Sequence, residues 1–145
     1  MKVVCQRVLE SSVTVDNKKV SQIKEGLLLL VGFSKEDTID NVKIMAKKIV
    51  NLRIFDDEEG IMNKSLLEEN KEILSVSQFT LHADTSKGNR PSYINAMKSD
   101  EARNLYKKFN EELRTYTNKV QEGIFQADMK VSLINDGPIT IILEK

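Results

Sequence analysis

Apolar and polar residues change their spacing along the chain, and each change marks an element. In the first third, Val13, Val15, Val20 and Ile23 are β-type residues, and Asp16-Asn17-Lys18 between them is a turn signal. Gly26 then precedes Leu27-Leu28-Leu29-Leu30-Val31, the longest apolar run of the chain. A continuous run of that length predicts a strand covered on both faces. Across residues 37–51 the period lengthens. Ile39, Val42, Met45, Ala46, Ile49 and Val50 recur at three- and four-residue steps, which predicts an amphipathic helix with Asp37 or Thr38 as its cap.

Arg53-Ile54-Phe55 reads as a short strand closed by the polar turn Asp56-Asp57-Glu58-Glu59-Gly60, and Ile73 to Ser77 as another strand. A polar stretch runs from Leu81 to Ser92. A second helix is expected after it, with Ser99 as N-cap and Asp100 and Glu101 in its first turn. Its buried stripe is Ala102, Leu105, Tyr106, Phe109 and Leu113, and Gly123 lies beyond its end. Two closing strands follow, Met129 to Ile134 and Ile139 to Leu143, separated by a tight turn. The sum is an α+β fold: a mostly antiparallel, barrel-like sheet with two covering helices. No repeat, linker or low-complexity segment divides residues 1–145, so a single domain is expected.

Composition narrows the function. At 40% hydrophobic and 30% charged residues the chain has the balance of a water-exposed globular domain. No apolar run approaches the roughly 20 residues of a membrane span, and the N-terminus lacks the features of a signal peptide. The expectation is a cytoplasmic protein that does not contact membrane. Cys5 is the only cysteine and His82 the only histidine, so neither a disulfide nor a cysteine- or histidine-rich zinc site is expected. No metal and no cofactor is expected. Lysine plus arginine equals aspartate plus glutamate, at 22 each. That balance argues against wide contact with a nucleic-acid backbone, but leaves room for a protein that grips a single nucleotide end.

Three segments carry candidate chemistry. Ser77-Gln78-Phe79-Thr80-Leu81 stands where a strand gives way to a polar loop, a place that is rigid and faces solvent. Its hydroxyls, amide and main-chain N–H groups are donors of the kind that stabilise an oxyanion in acyl transfer, although the pattern alone also fits an ordinary alternating strand. Asn135-Asp136-Gly137-Pro138-Ile139-Thr140 reads as a turn. A cis Gly–Pro bond there would present main-chain carbonyls with no side chain on the glycine, a surface able to sense the face of Cα that bears a ligand's side chain. Lys87-Gly88-Asn89-Arg90-Pro91-Ser92-Tyr93 combines two cations with an aromatic ring, a composition shared by phosphate contacts and plain solvated loops. His82 near Ser77, Thr80 and Asp84 invites a triad, but no Gly-x-Ser-x-Gly elbow is present and His82 reads as a polar rim residue. Cys5, beside Val3 and Val4, reads as core.

Together these segments resemble the D-aminoacyl-tRNA deacylases. The likeness opens with Gln6-Arg7-Val8 and Ser12 to Val15, and continues through Gly26-Leu27-Leu28, Arg53-Ile54-Phe55, Gly60 and Met62-Asn63. It is strongest at Ser77 to Leu81, at Gly88 with Arg90-Pro91-Ser92, and from Gly123 and Phe125 through Ala127-Asp128-Met129 to Asn135-Asp136-Gly137-Pro138. The resemblance implies hydrolysis of the ester of a D-amino acid, or of glycine mischarged on the tRNA for alanine, at the acceptor end of tRNA. It implies a homodimer with its sites at the interface. Ser77, Gln78, Phe79 and Thr80 would line the pocket for the terminal adenosine and its ester. Gly137 and Pro138, reaching into the partner's pocket, would exclude L-amino acids by clash. Phe125 would lie near the adenine, Met129 would join the substrate contacts, and Arg7 would brace the Gly–Pro loop. Water is the favoured nucleophile, with the ribose 2′-hydroxyl assisting and Thr80 as the alternative. Two other classes stay open: an esterase using Thr80 or Ser77 with His82, and a non-catalytic module that binds RNA ends.

Overall fold

In chain order the elements are β1 (Lys2–Val15), β2 (Lys18–Ile23), β3 (Gly26–Gly32), α1 (Ile39–Val50), β4 (Arg53–Asp56), β5 (Met62–Ser65), β6 (Glu72–Ser77), α2 (Ser99–Tyr116), β7 (Val120–Glu122) and β8 (Lys130–Glu144). The structure is a computed structural model and describes residues 1–145. The long strand β1 organises the sheet. Along one edge its first half pairs with β3, from Lys2↔Gly32 to Val8↔Gly26, and its second half with β2, from Ser11↔Ile23 to Val15↔Lys18. Along the other edge it pairs with β8, from Lys2↔Glu144 to Thr14↔Lys130. All three pairings are antiparallel. Beyond β3 the pairing turns parallel, β3 to β6 and β6 to β7. Parallel neighbours need long crossover connections. The stretch holding α1 and the β4–β5 hairpin makes the first, and α2 the second. β2 lies against β6 and β7, so the sheet curls towards closure. The mostly antiparallel, barrel-like sheet with two helices is therefore observed; the parallel β3–β6–β7 portion lies outside the expectation.

Because strand side chains alternate faces, β3 feeds two cores. Leu27, Leu29 and Val31 pack under the helices with Val42, Met45, Ile49, Phe109 and Leu113. Leu28 turns inward to Val8, Val13, Ile23, Leu74 and Val76. This is why an uninterrupted apolar run is needed there. In α1, Val42, Met45, Ala46, Ile49 and Val50 are all buried. Thr38 is its N-cap, and the Asn41 side-chain oxygen accepts bonds from the Thr38 N–H (2.8 Å) and hydroxyl (2.9 Å). Asp37 is used elsewhere, accepting from the Ser34 N–H at 2.6 Å and hydroxyl at 3.0 Å and pairing with the Met1 ammonium.

Two expectations are corrected. The residue preceding α2 is Lys98, which makes no side-chain cap bond, and Ser99 is already helical. The last two strands are not a hairpin. They are one strand, β8, both halves of which pair with β1. Between Gln6↔Thr140 and Val8↔Asn135, the four residues 136–139 stand opposite Arg7 alone, so they bulge out of the ladder. Asn135 refills the gap, accepting from the Ile139 N–H at 2.9 Å and donating to the Thr140 hydroxyl at 3.2 Å.

Two buried acids titrate late. Burial pushes the Cys5 thiol up to about 12, and it pushes the Tyr106 phenol up to about 12 against its hydrogen bond to Ser75. Unfolded, these groups ionise near about 8.5 and about 10. Above those values the unfolded chain holds fewer protons than the fold, so stability falls as pH rises towards 12. We expect Cys5 alone to remove about 2 kcal/mol by pH 10, and Cys5→Ala to flatten part of the slope. Thermal unfolding at pH 7.5 and 10 checks this; an unchanged midpoint contradicts it.

Candidate active site

A cavity of about 570 Å³ opens between the end of β6, the start of α2 and the segment leading into β8. Ser77, Gln78 and Phe79 line one wall from the end of β6, and Phe125, Ala127 and Met129 a second wall from the segment leading into β8. Met97 and Ala102 line it from the α2 side. None of its twelve lining residues carries an ionisable side chain. Chemistry here has to come from neutral donors, main-chain groups and whatever the ligand brings.

The first wall is set by the end of the parallel ladder. Val31 pairs with Ser77, and the Val31 carbonyl accepts the Gln78 N–H at 2.7 Å. The chain then tightens into a 3₁₀ turn, Phe79–His82, rather than continuing extended. The first N–H groups of such a turn have no partner within it, and here they belong to Phe79 and Thr80. The Gln78 amide donates to the Thr80 hydroxyl. Thr80 itself does not line the cavity. Phe79 is exposed and meets Tyr93 edge to face, with centroids 4.9 Å apart. Tyr93 thus connects the Lys87–Tyr93 loop to the site, while Lys87 and Arg90 stay in solvent. Just before that loop the Asp84 carboxyl is held low by the hydrogen bonds it accepts from Ser86.

The second wall rests on α2. The Phe125 ring lies 5.7 Å from the buried Tyr106 ring, and the Arg103 guanidinium sits 4.9 Å above its centroid. Arg103 also binds the Gln126 side chain. The Tyr106 hydroxyl donates to the Ser75 carbonyl at 2.8 Å, and the Gly123 N–H reaches the same oxygen at 2.9 Å. One carbonyl of β6 therefore anchors both α2 and the approach to Phe125.

Of the nine expected site residues, five line this cavity: Ser77, Gln78, Phe79, Phe125 and Met129. Thr80 follows Phe79 in the same turn but is not among the lining residues. Arg7, Gly137 and Pro138 are not part of it. The buried Arg7 donates to the Ile54 carbonyl at 2.8 Å and to Asp56 at 3.2 Å, and its Nε lies 2.9 Å from Asp136. It ties the β4–β5 hairpin to the base of the 136–139 bulge. The Gly137–Pro138 bond is cis, both residues are exposed, and Gly137 has φ +121°, a conformation L side chains rarely adopt. His82 is not a rim residue: it is half-buried, and its Nε2 is buried without a partner. It lies in the same turn as Thr80, which is no strand, so the strand spacing behind a triad does not apply. Cys5 is fully buried. Met97, Arg103 and Gln126 escape the sequence reading, and Ala102 enters it only as part of a helix stripe; only the three-dimensional return of the chain along Phe33, where the Met97 N–H donates to the Phe33 carbonyl at 2.9 Å, brings Met97 to the cavity. No helix is long and apolar enough to cross a membrane.

The family model described as D-Tyr-tRNA(Tyr) deacylase matches residues 4–144. A D-aminoacyl-tRNA deacylase of Parabacteroides distasonis is 55% identical over 99% of this chain and 97% of that protein. Another, of Clostridium novyi, is 51% identical over 99% of this chain and 97% of its own length. A solved c-Myc DNA unwinding element binding protein superposes with a TM-score of 0.96 at 45% identity, covering 100% of this chain and 99% of its own. A probable eukaryotic D-amino acid tRNA deacylase shares the fold, with a TM-score of 0.85 at 19% identity over 98% of this chain and 97% of that one. With its full length matched and its cavity built from the same segments that carry the resemblance, the chain belongs to the D-Tyr-tRNA(Tyr) deacylase family and is an enzyme that hydrolyses the ester of D-aminoacyl-tRNA.

Proposed function

We propose that the cavity between Phe79 and Phe125 takes the terminal adenosine of tRNA with its aminoacyl ester, and that a second copy of the chain supplies the chirality filter through Gly137 and Pro138. The observation carrying this reading is the split of the site. The cavity lacks Gly137 and Pro138, while these stand exposed on a braced bulge elsewhere on the same chain. A homodimer reunites them. Leu133 and Ile134, exposed on β8 beside the bulge, give that face apolar surface for a partner.

Within the cavity, water adds to the ester carbonyl carbon, the bond to the ribose 3′-oxygen breaks, and that oxygen takes up a proton. The main-chain N–H groups of Phe79 and Thr80 hold the developing oxyanion. An aminoacyl ester is already activated, so placement and oxyanion stabilisation are enough, with the ribose 2′-hydroxyl assisting. The absence of ionisable groups from the lining supports this over a side-chain base. Discrimination by main-chain clash acts on Cα rather than on side-chain type. The enzyme therefore accepts many D-amino acids, and it accepts glycine, including glycine mischarged on the tRNA for alanine. The balanced charge fits an enzyme that grips only the acceptor end, and the cytoplasm, where charged tRNA is used, is its proposed place of work.

The direct test is amino-acid release from matched D- and L-tyrosyl-tRNA by purified protein with chelator present. Rapid loss of the D ester with the L ester spared is expected. Equal loss of both removes the filter, and loss of neither favours a binding module. Two substitutions separate the chemistries. Thr80→Ala is expected to keep its rate within about tenfold, because the donors are main-chain groups, whereas removal of a true nucleophile costs about a thousandfold or more. His82→Ala is expected to change little; abolition of activity would restore the esterase reading.

A further inference from the structure

Gly32, the last residue of β3, is not among the residues lining the cavity, yet it limits where the Phe79–His82 turn can lie. It is buried, and a Cβ built on it would stand 2.8 Å from the Gln78 carbonyl oxygen, 3.1 Å from the His82 ring and 3.2 Å from the Leu81 Cβ. Ordinary contact begins at 3.4 Å, so an alanine would require the Gln78 carbonyl to retreat by about 0.6 Å. That oxygen belongs to the backbone of the turn and accepts the Leu81 N–H, so it cannot swing aside as a side chain would. The neighbouring residue fixes the same segment from the other direction, since the Val31 carbonyl holds the Gln78 N–H at 2.7 Å. The turn is thus pulled in at Val31 and seated on the bare Cα of Gly32, while His82 closes the far side of the seat.

We infer that Gly32 is a positioning residue of the deacylase reaction: its lack of a side chain sets the depth of the turn and thereby the position of the Phe79 and Thr80 main-chain N–H groups. This rests on the proposed role of those groups. The rest of the cavity, including Phe125 and Met129 on its second wall, supplies substrate affinity, and neither is among the atoms nearest a Cβ on Gly32. A displaced turn therefore slows the bound ester's hydrolysis more than it weakens binding.

Single-turnover hydrolysis of D-tyrosyl-tRNA with enzyme in excess tests this, because the limiting rate at saturation is insensitive to a fraction of unfolded enzyme. For Gly32→Ala the limiting rate is expected to fall about tenfold to a hundredfold while the half-saturating concentration changes less than about threefold. Leu29→Ala, a cavity in the same strand remote from the turn, is expected to lower thermal stability and leave the limiting rate unchanged. His82→Trp overfills the same seat from the half-exposed side and serves if the alanine variant does not fold; it is expected to lower the limiting rate in the same selective way. A limiting rate within twofold of wild type in the folded Gly32 variant, or in His82→Trp where that variant stands in for it, overturns the inference, as does an equal loss in Leu29→Ala. A wild-type enzyme inactive on the D ester overturns the deacylase reading instead.

Discussion

The pairing of β1 along both of its edges is the constraint on which the rest of the molecule depends. One edge receives β3 and then β2; the other receives the whole of β8. Because β3 is fixed there, β6 can add in parallel and end at Ser77, level with Val31. The first wall of the cavity is the continuation of that ladder. Because β8 is fixed on the opposite edge, the four residues it cannot pair leave the sheet opposite Arg7. The cavity and the Gly137–Pro138 bulge thus both depend on the same strand, but they emerge at different places on it. That geometry underlies the proposal that two copies of the chain complete one site.

The cavity itself is chemically quiet. Its lining is apolar or neutral, its aromatic rings are braced by Tyr93, Tyr106 and Arg103, and the one histidine and one cysteine lie outside it. An enzyme for an intrinsically labile ester can work this way, since the burden falls on geometry rather than on a tuned acid or base. The same logic explains why residues without functional groups matter. Gly32 sets the depth of a turn, and Ser75 acts through its main-chain carbonyl, which gathers Tyr106 and Gly123.

Much of the fold was legible in local spacing. The Leu27–Val31 run and the stripes of α1 and α2 announce burial whatever their partners are; the structure buries most of them, but leaves Ile39, at the first turn of α1, exposed and Leu30, Ala102 and Leu105 half-buried. Where the reading failed, the missing information was non-local. Asn135 to Thr140 has the composition of a hairpin turn, and only the pairing of both flanks with β1 makes it a bulge. The parallel register of β6 depends on a crossover that no strand pattern reveals. In the site, Ser77, Gln78 and Phe79 were visible as polar and aromatic residues at a strand end. Met97 and Gln126 were not, because their part in the cavity arises from how loops return to it. His82 looked like a rim residue because exposure cannot be read from a polar neighbourhood, and its buried Nε2 follows from its packing beside Gly32.

The central claim is that one protomer's neutral cavity and its partner's Gly–Pro bulge form a single site around the end of the substrate. A crystal structure with an amide-linked, non-hydrolysable D-tyrosyl-adenosine tests it most directly. The adenosine is expected between Phe79 and Phe125, the carbonyl oxygen within hydrogen-bond reach of the Phe79 or Thr80 N–H, and Gly137 and Pro138 of the second copy against the Cα of the amino acid. A ligand bound away from this cavity, or seated in it with no second copy at the Cα, would contradict it.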